Sequence, residues 1–200
     1  MQNGRDTVDV IVDGAIRALA RHGASRLSMT DICREAEVSR GTLYRYFSNR
    51  EEVLEAVNQK LVQAARTILD DAVAASPALD VRVRVVLKAM IGFPNTFPHM
   101  RSIFEYEPRT ALTFLAREMA GVIETLDAYL RPALEISLPV TQGAVTVEDV
   151  LEIFYRIITS SFLLPTVGSD TMDERLASLW ESVAQPRRMP RARPRATTAH

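Results

Sequence analysis

Apolar residues in this chain recur at intervals of three and four rather than two, so the pattern predicts helices throughout. From Asp6 to His22 the stripe is Val8, Ile11, Val12, Ala15, Ile16, Leu19 and Ala20. It ends at Gly23, a natural helix stop, and Met1 to Arg5 reads as a loose arm ahead of it. Asn49 to about Ala75 has no Gly or Pro and keeps Val53, Leu54, Val57, Leu61, Ala64, Ala65, Ile68 and Leu69 on one side. At about 1.5 Å per residue it would span roughly 40 Å, and Ser76-Pro77 closes it. Further helices are predicted over Leu79 to Phe93, Phe97 to about Glu107 and Arg109 to about Leu138. Pro94, Pro98 and Pro108 mark the breaks, and Pro132 kinks or shortens the last of these helices. Pro139 to Ala144 reads as a loop. Val147 to Leu164 is apolar on nearly every side, Asp170 to Ala184 carries Met172, Leu176, Leu179, Trp180 and Val183, and the Arg-, Pro- and Ala-rich end after Ala184 reads as a disordered tail. The fold class is therefore all-α, with about nine helices.

Between Ser28 and Glu52 the pattern tightens into three helix starts. Ser28-Met29-Thr30-Asp31 is a Ser-x-x-acid cap, with Leu27 and Ile32 placed as its hydrophobic staple. Ser39 can cap a second start, with Val38 and Leu43 as staple, and Ser48 with Glu51 a third. In the middle helix Leu43 and Phe47 point one way, while Arg40, Gly41, Tyr44 and Arg45 point the other. Two guanidinium forks, a phenol and a glycine on one face suit the major groove of DNA. With the tight turn near Ala36 to Val38, the two short helices read as a helix-turn-helix whose second member is the recognition helix.

The run Ser28-Met29-Thr30-Asp31-Ile32 and Ala36-Glu37-Val38-Ser39-Arg40-Gly41-Thr42-Leu43-Tyr44-Arg45-Tyr46-Phe47-Ser48-Asn49-Arg50-Glu51-Glu52 resembles the tetracycline-repressor (TetR) family of bacterial transcription regulators. Two positions depart from the family pattern. Glu37 stands in place of the usual turn glycine, which predicts a non-glycine residue at positive φ, and Arg50 stands in place of a lysine. The resemblance implies a three-helix head over residues 1–48, a helical ligand-binding and dimerisation body over 49–185, and leaves 186–200 as a basic tail. It also supports the DNA-contact roles read from the residues: Arg40, Gly41, Tyr44 and Arg45 for base edges, and Thr30, Thr42, Tyr46 and Arg50 for phosphates, with Ser39 capping the recognition helix between them.

Charge becomes informative once it is placed along the chain. The net charge of −1 gives little reason to expect a nucleic-acid partner, yet residues 26–50 hold five arginines against three acids. Without the five arginines of the last fifteen residues the chain would stand at −6. A locally basic head on an acidic remainder is what a protein that meets DNA with one face requires. No run of about eighteen apolar residues and no basic-then-apolar leader is present, so the expectation is a cytoplasmic protein with no membrane partner. The single cysteine, Cys33, reads as a small buried residue. His22, His99 and His200 are too scattered for metal-ligand spacing, and no phosphate loop or nucleophile elbow occurs, so no cofactor, metal or catalytic activity is expected.

One helix-turn-helix reads too few bases, so a homodimer is expected, with heads about 34 Å apart on a palindromic double-stranded operator. Val147–Leu164 and Asp170–Ala184 are the candidate dimer helices. The resemblance further implies an effector cavity in the body. Its candidate lining is Phe93, Phe97, Met100, Phe104, Tyr106, Phe114, Phe154, Tyr155, Ile158 and Phe162, although residues of these types at this spacing also build ordinary cores. Such a lining favours a hydrophobic small molecule anchored by Arg101, Glu105, Arg117 or Thr159, while Glu105 and Glu107 would suit a cationic drug. The function expected is a ligand-responsive transcriptional repressor. The alternative is a helical ligand-binding or interaction protein without specific DNA binding, for which Glu37 in the turn is the hint.

Overall fold

Side-chain caps decide where several of the helices begin. The computed structural model describes residues 2–23, 26–96, 108–164 and 171–184, and among them the chain forms nine helices and no strand. These are α1 (Gln2–His22), α2 (Met29–Ala36), α3 (Arg40–Tyr46), α4 (Arg50–Ala75), α5 (Arg82–Thr96), α6 (Pro108–Leu134), α7 (Leu138–Thr141), α8 (Val147–Leu163) and α9 (Met172–Ala184). Ser28 Oγ accepts the Asp31 N–H at 3.2 Å while Asp31 Oδ2 accepts the Ser28 N–H at 3.2 Å, the reciprocal cap expected for α2. Thr146 and Asp149 repeat it at α8. The cap of α4 lies one residue beyond the expected Ser48 and Glu51. Asn49 Oδ1 accepts from the Glu52 N–H at 2.9 Å, and Glu52 Oε2 reaches back to the Ser48 N–H at 2.7 Å. Asn is as good a cap as Ser, and Glu52 serves both neighbours.

Other boundaries differ from expectation where proline or glycine is less disruptive than its reputation. α1 continues back to Gln2 instead of leaving residues 1–5 as an arm, Gly4 being a cost to a helix rather than a stop. Helix α5 runs through Pro94 to Thr96, because a proline in the last turn removes a single backbone hydrogen bond. It begins at Arg82 rather than Leu79, after a turn in which the Arg82 N–H bonds the Leu79 carbonyl at 3.3 Å. Pro132 sits in the last turn of α6, which ends at Leu134, four residues short of the predicted limit. The segment expected to be a loop contains α7, with Pro139 in its first turn, where a missing N–H costs nothing. The helix expected between Phe97 and Glu107 and the tail after Ala184 lie outside the described residues.

Buried side chains fall into clusters. Ile11, Ala15, Leu19, Leu27, Ile32, Leu43, Phe47, Val53 and Val57 pack α1, α2 and α3 onto the start of α4. Leu69, Val86, Leu87, Leu126, Leu130, Leu134, Leu151, Phe154, Ile158 and Leu176 form the larger core of α4, α5, α6, α8 and α9. A third, smaller cluster centres on Phe93 and Ala111, with Leu61, Ala65, Leu115 and Phe162 against it. Leu61 touches the first and third clusters, so α4 is a shared wall. Lys60 ties α4 to α1 through Asp13 at 2.9 Å and Asp9 at 3.3 Å. Burial by itself would lower the Lys60 pKa, but its bonds to these two carboxylates outweigh that and raise it. Arg84 makes a two-pronged pair with Glu181 (2.8 and 2.7 Å), joining α5 to α9.

The closest approach in the N-terminal cluster is at Gly14, where a Cβ would lie 2.5 Å from Ala36 Cα. Gly14→Ala should therefore lower stability to denaturant by about 1–3 kcal/mol, because backbone rather than a flexible side chain would have to move. Gly121→Ala, in open space on α6, should instead raise it by about 0.5–1 kcal/mol.

Candidate nucleic-acid interface

Helix α3 is seven residues long and is seated from below. Leu43 is fully buried and Phe47 nearly so, which leaves Arg40, Gly41, Tyr44 and Arg45 on the opposite, exposed side, with Tyr44 53 % accessible. The turn before it passes through Glu37 at φ 55, ψ 34, the left-handed conformation that its position demanded. Its N–H bonds the Cys33 and Arg34 carbonyls, which closes α2 without distorting the approach to α3. Glu37 therefore does not disable the motif, and the hint favouring a head without DNA binding disappears. Cys33 is buried, as expected.

Several of the nine candidate DNA residues touch one another. Arg40 Nη2 donates to Thr30 Oγ1 at 2.6 Å, joining the first turns of α2 and α3. Ser39 Oγ accepts the Thr42 N–H at 3.0 Å and lies 2.9 Å from Thr42 Oγ1, so Ser39 is occupied as the α3 cap. A Cβ on Gly41 would meet only Ser39 Oγ at 3.8 Å, so no internal packing needs this glycine. What its missing side chain provides is a low spot on the exposed face. The Arg45 guanidinium lies 4.9 Å above the Tyr46 ring and donates to its hydroxyl at 3.4 Å. That hydrogen bond, with one from Thr7 on α1, lowers the Tyr46 pKa. Arg50 donates to the Leu27 carbonyl at 3.4 Å and pairs with Glu51 at 3.2 Å.

The acids of these helices are largely compensated from within. Asp31 pairs with Arg34 at 2.6 Å and Glu35 with Arg21 at 2.8 Å. Among the described residues no carboxylate pairs with Arg40 or Arg45, so the exposed face of α3 is positive. His22 lies 3.0 Å from Arg34 and belongs to this network rather than to a metal site, while His99 and His200 are outside the described residues. Among the described residues no cluster of His, Cys, Asp or Glu is arranged to hold a metal.

Phe114 apart, the described candidate effector residues are shared between two clusters, and Phe162 packs against both. Phe93 and Phe162 meet in the small third cluster, whereas Phe154, Tyr155 and Ile158 belong to the main core. Phe154 also meets Trp180 edge to face, with centroids 5.4 Å apart. Phe114 is half-buried beneath Arg117, 5.7 Å from its ring. Phe97, Met100, Phe104 and Tyr106, with Arg101, Glu105 and Glu107, lie outside the described residues. Of the polar anchors that are described, the Thr159 hydroxyl is turned to its own helix, donating to the Tyr155 carbonyl at 2.9 Å, and Arg117 pairs with Glu118 at 2.7 Å. The sequence reading missed Asn58 and Glu118, joined by a 2.9 Å bond from Asn58 Nδ2 to Glu118 Oε2. The available signal was an amide on the apolar stripe of α4, between Leu54 and Leu61.

A short, exposed, positively charged helix carried on a tight turn defines a helix-turn-helix DNA-binding protein. Comparison with known proteins agrees. Residues 11–57 match the family model for bacterial regulatory proteins of the tetR family. An HTH-type transcriptional regulator from Mycobacterium tuberculosis is 29 % identical over 171 residues, covering 84 % of this chain and 79 % of its own length. One from Haemophilus influenzae is 42 % identical over 50 residues, and there the match spans 25 % of this chain and 27 % of the relative. The fold is similar to that of the fatty acid degradation regulator FadR from Bacillus halodurans (TM-score 0.64, 16 % identity, 92 % of this chain and 97 % of that one). It is also similar to a TetR-family regulator structure from Haemophilus influenzae (TM-score 0.63, 18 % identity, 93 % and 100 %). Residues 11–57 thus carry the DNA-binding segment of the TetR family, and the longer matches support a TetR-family transcriptional regulator, that family being one of regulators rather than enzymes. Among the described residues no helix is long and apolar enough to cross a membrane.

The α2 cap carries a pH signature. The Ser28 hydroxyl holds the Asp31 carboxyl below its usual range, assisted by the Ser28 N–H and the His22 and Arg34 charges and opposed by slight burial. A depressed carboxylate contributes stability that is present above its unfolded pKa of about 4 and is lost as pH falls through the lower folded value. Ser28→Ala should therefore be less stable at neutral pH, and its urea midpoint should fall less steeply below about pH 4 than that of the parent protein.

Proposed function

We propose that the protein is a homodimeric repressor that binds a palindromic operator and leaves it when a hydrophobic small molecule occupies the helical body. Residues 1–48 would be the DNA-binding head, 49–185 the ligand-binding and dimerisation body and 186–200 a basic tail. Such a regulator would work in the cytoplasm, beside the chromosome. The observation that carries this proposal is the outward face of α3, where Arg40, Tyr44 and Arg45 stand exposed over a buried Leu43 and Phe47. Arg45 and Arg40 suit guanine O6 and N7, Gly41 lets the helix sink into the groove, and Thr30, Thr42, Tyr46 and Arg50 suit phosphate oxygens. Dimerisation through α8 and α9 is supported by Ile153, Leu179 and Val183, large apolar side chains about half or more exposed on those helices. The effector would act by its greater affinity for a dimer whose heads no longer match successive grooves.

Gel-shift titration against the DNA upstream of the protein's own gene tests the DNA half of the proposal. Affinity should fall steeply with salt as counterions are released. Arg45→Ala should cost about 1–3 kcal/mol on the preferred sequence and relax discrimination, whereas Arg50→Ala should weaken all sequences alike. Equal and negligible effects of both would refute the assigned contacts. For the dimer, Leu179→Glu with Val183→Glu should yield monomers in sedimentation equilibrium and abolish operator binding at concentrations where the parent is fully bound.

A further inference from the structure

Asn58 is 8 % accessible on α4, and its amide meets Glu118 of α6 through its nitrogen alone. Its Nδ2 donates to Glu118 Oε2 at 2.9 Å, whereas its Oδ1 is buried with no hydrogen-bond partner among the described residues. Exchanging the amide oxygen and nitrogen would set two acceptors against each other, so the orientation is determined by Glu118 itself. Leaving a buried acceptor unmet is unfavourable enough that such groups are rare in folded proteins.

Two neighbouring groups among the described residues are acceptors, the Glu118 carboxylate and the Tyr155 phenol. Glu118 Oε2 accepts from Asn58, and its other oxygen is met by Arg117, which is 61 % exposed and approaches from the solvent side. Tyr155 directs its hydroxyl hydrogen to the Leu115 carbonyl, so that phenol too can only accept from a further group. Burial, and after it the Glu118 charge, raise the Tyr155 pKa against a smaller opposing effect of Arg156. Apolar surface adjoins this corner: Leu61 and Ala65 lie one and two turns beyond Asn58 on α4, Leu115 one turn before Glu118, and all three, like Phe162, pack against the cluster of Phe93 and Ala111.

We propose that Asn58 and Glu118 form the polar end of the effector site and select a ligand joining a protonated amine to an apolar body. The proposal rests on the ligand-responsive function above. An ammonium group supplies both the N–H donor that Asn58 Oδ1 lacks and a charge opposite to Glu118. An alcohol supplies the donor alone, and a carboxylate is repelled.

Calorimetric titration of the full-length protein with n-decylamine, 1-decanol and decanoate, each below its micellar concentration, tests this. Decylamine should bind saturably, one per chain, and about tenfold or more tighter than the other two, as expected for one charge-assisted hydrogen bond. Glu118→Gln, which still accepts from Asn58, should erase most of that preference. Asn58→Leu should weaken amine binding by a similar factor while melting no lower than the parent protein, and it serves as the test should the Glu118 variant not fold. Equal affinity for the three probes, absence of saturable amine binding, or an amine preference unchanged in Glu118→Gln would each overturn the assignment. Gel shifts with the same probes separate the two proposals: operator release by decanol or decanoate without amine preference would sink this one and leave the ligand-responsive repressor standing.

Discussion

Seven residues are too few to hold a helix in water by their own hydrogen bonds, so α3 exists because Leu43 and Phe47 are buried against α1, α2 and the start of α4. That burial also orients the helix. Rotating α3 to hide its arginines would expose both anchors, so the two functions of the sequence, seating and presenting, are carried by alternate faces of the same two turns. Everything described around it serves that seat: the Ser28 and Ser39 caps set where the two helices begin, Glu37 bends the chain between them, and the Gly14–Ala36 contact brings α1 and α2 as near as backbones allow.

The rest of the chain gives this small unit a foundation. Its hydrophobic cluster ends on Val53 and Val57 of α4, and the larger core begins on the same helix at Leu69. Between them lies the short stretch where Leu61 belongs to two clusters, Lys60 holds two aspartates of α1, and Asn58 meets Glu118. Polar and apolar ties to both halves of the molecule are thus concentrated on about one turn of one helix.

Much of this was legible in the sequence, for reasons that are local. A Ser-x-x-Asp cap, a staple pair and a 3.6-residue stripe are interactions between near neighbours, so α2, α3 and the long α4 could be read directly, whereas the positive φ at Glu37 was implied by the family resemblance, which has a glycine there. Where two neighbours had equal capping chemistry, Ser48 and Asn49, the choice depended on which acid could reach back, and Glu52 rather than Glu51 does so. Pro94 and the segment from Pro139 were read as breaks, but Pro139 falls in a first turn, where no backbone bond is lost, and Pro94 removes only one bond near the end of α5; Pro132 was read as kinking or shortening its helix, and α6 does end two residues beyond it. The Asn58–Glu118 pair was illegible because its partners are 60 positions apart, and nothing in the sequence around one points to the other. Likewise, the aromatic stripes identified core candidates without showing that Phe93 and Phe162 would meet while Phe154 packed on Trp180.

Helix α4 runs 26 residues without an internal Gly or Pro, which makes it a stiff lever with its fulcrum in the larger core. From Leu69 to Arg50 its arm is about 28 Å at 1.5 Å per residue, so a tilt of about 5° would carry the Arg50 end sideways by roughly 2.5 Å. In a two-fold pair the displacements would add, to roughly 5 Å, which is comparable to the pitch of one helical turn. Small angular adjustments deep in the protein are thereby magnified at the far end of the rod.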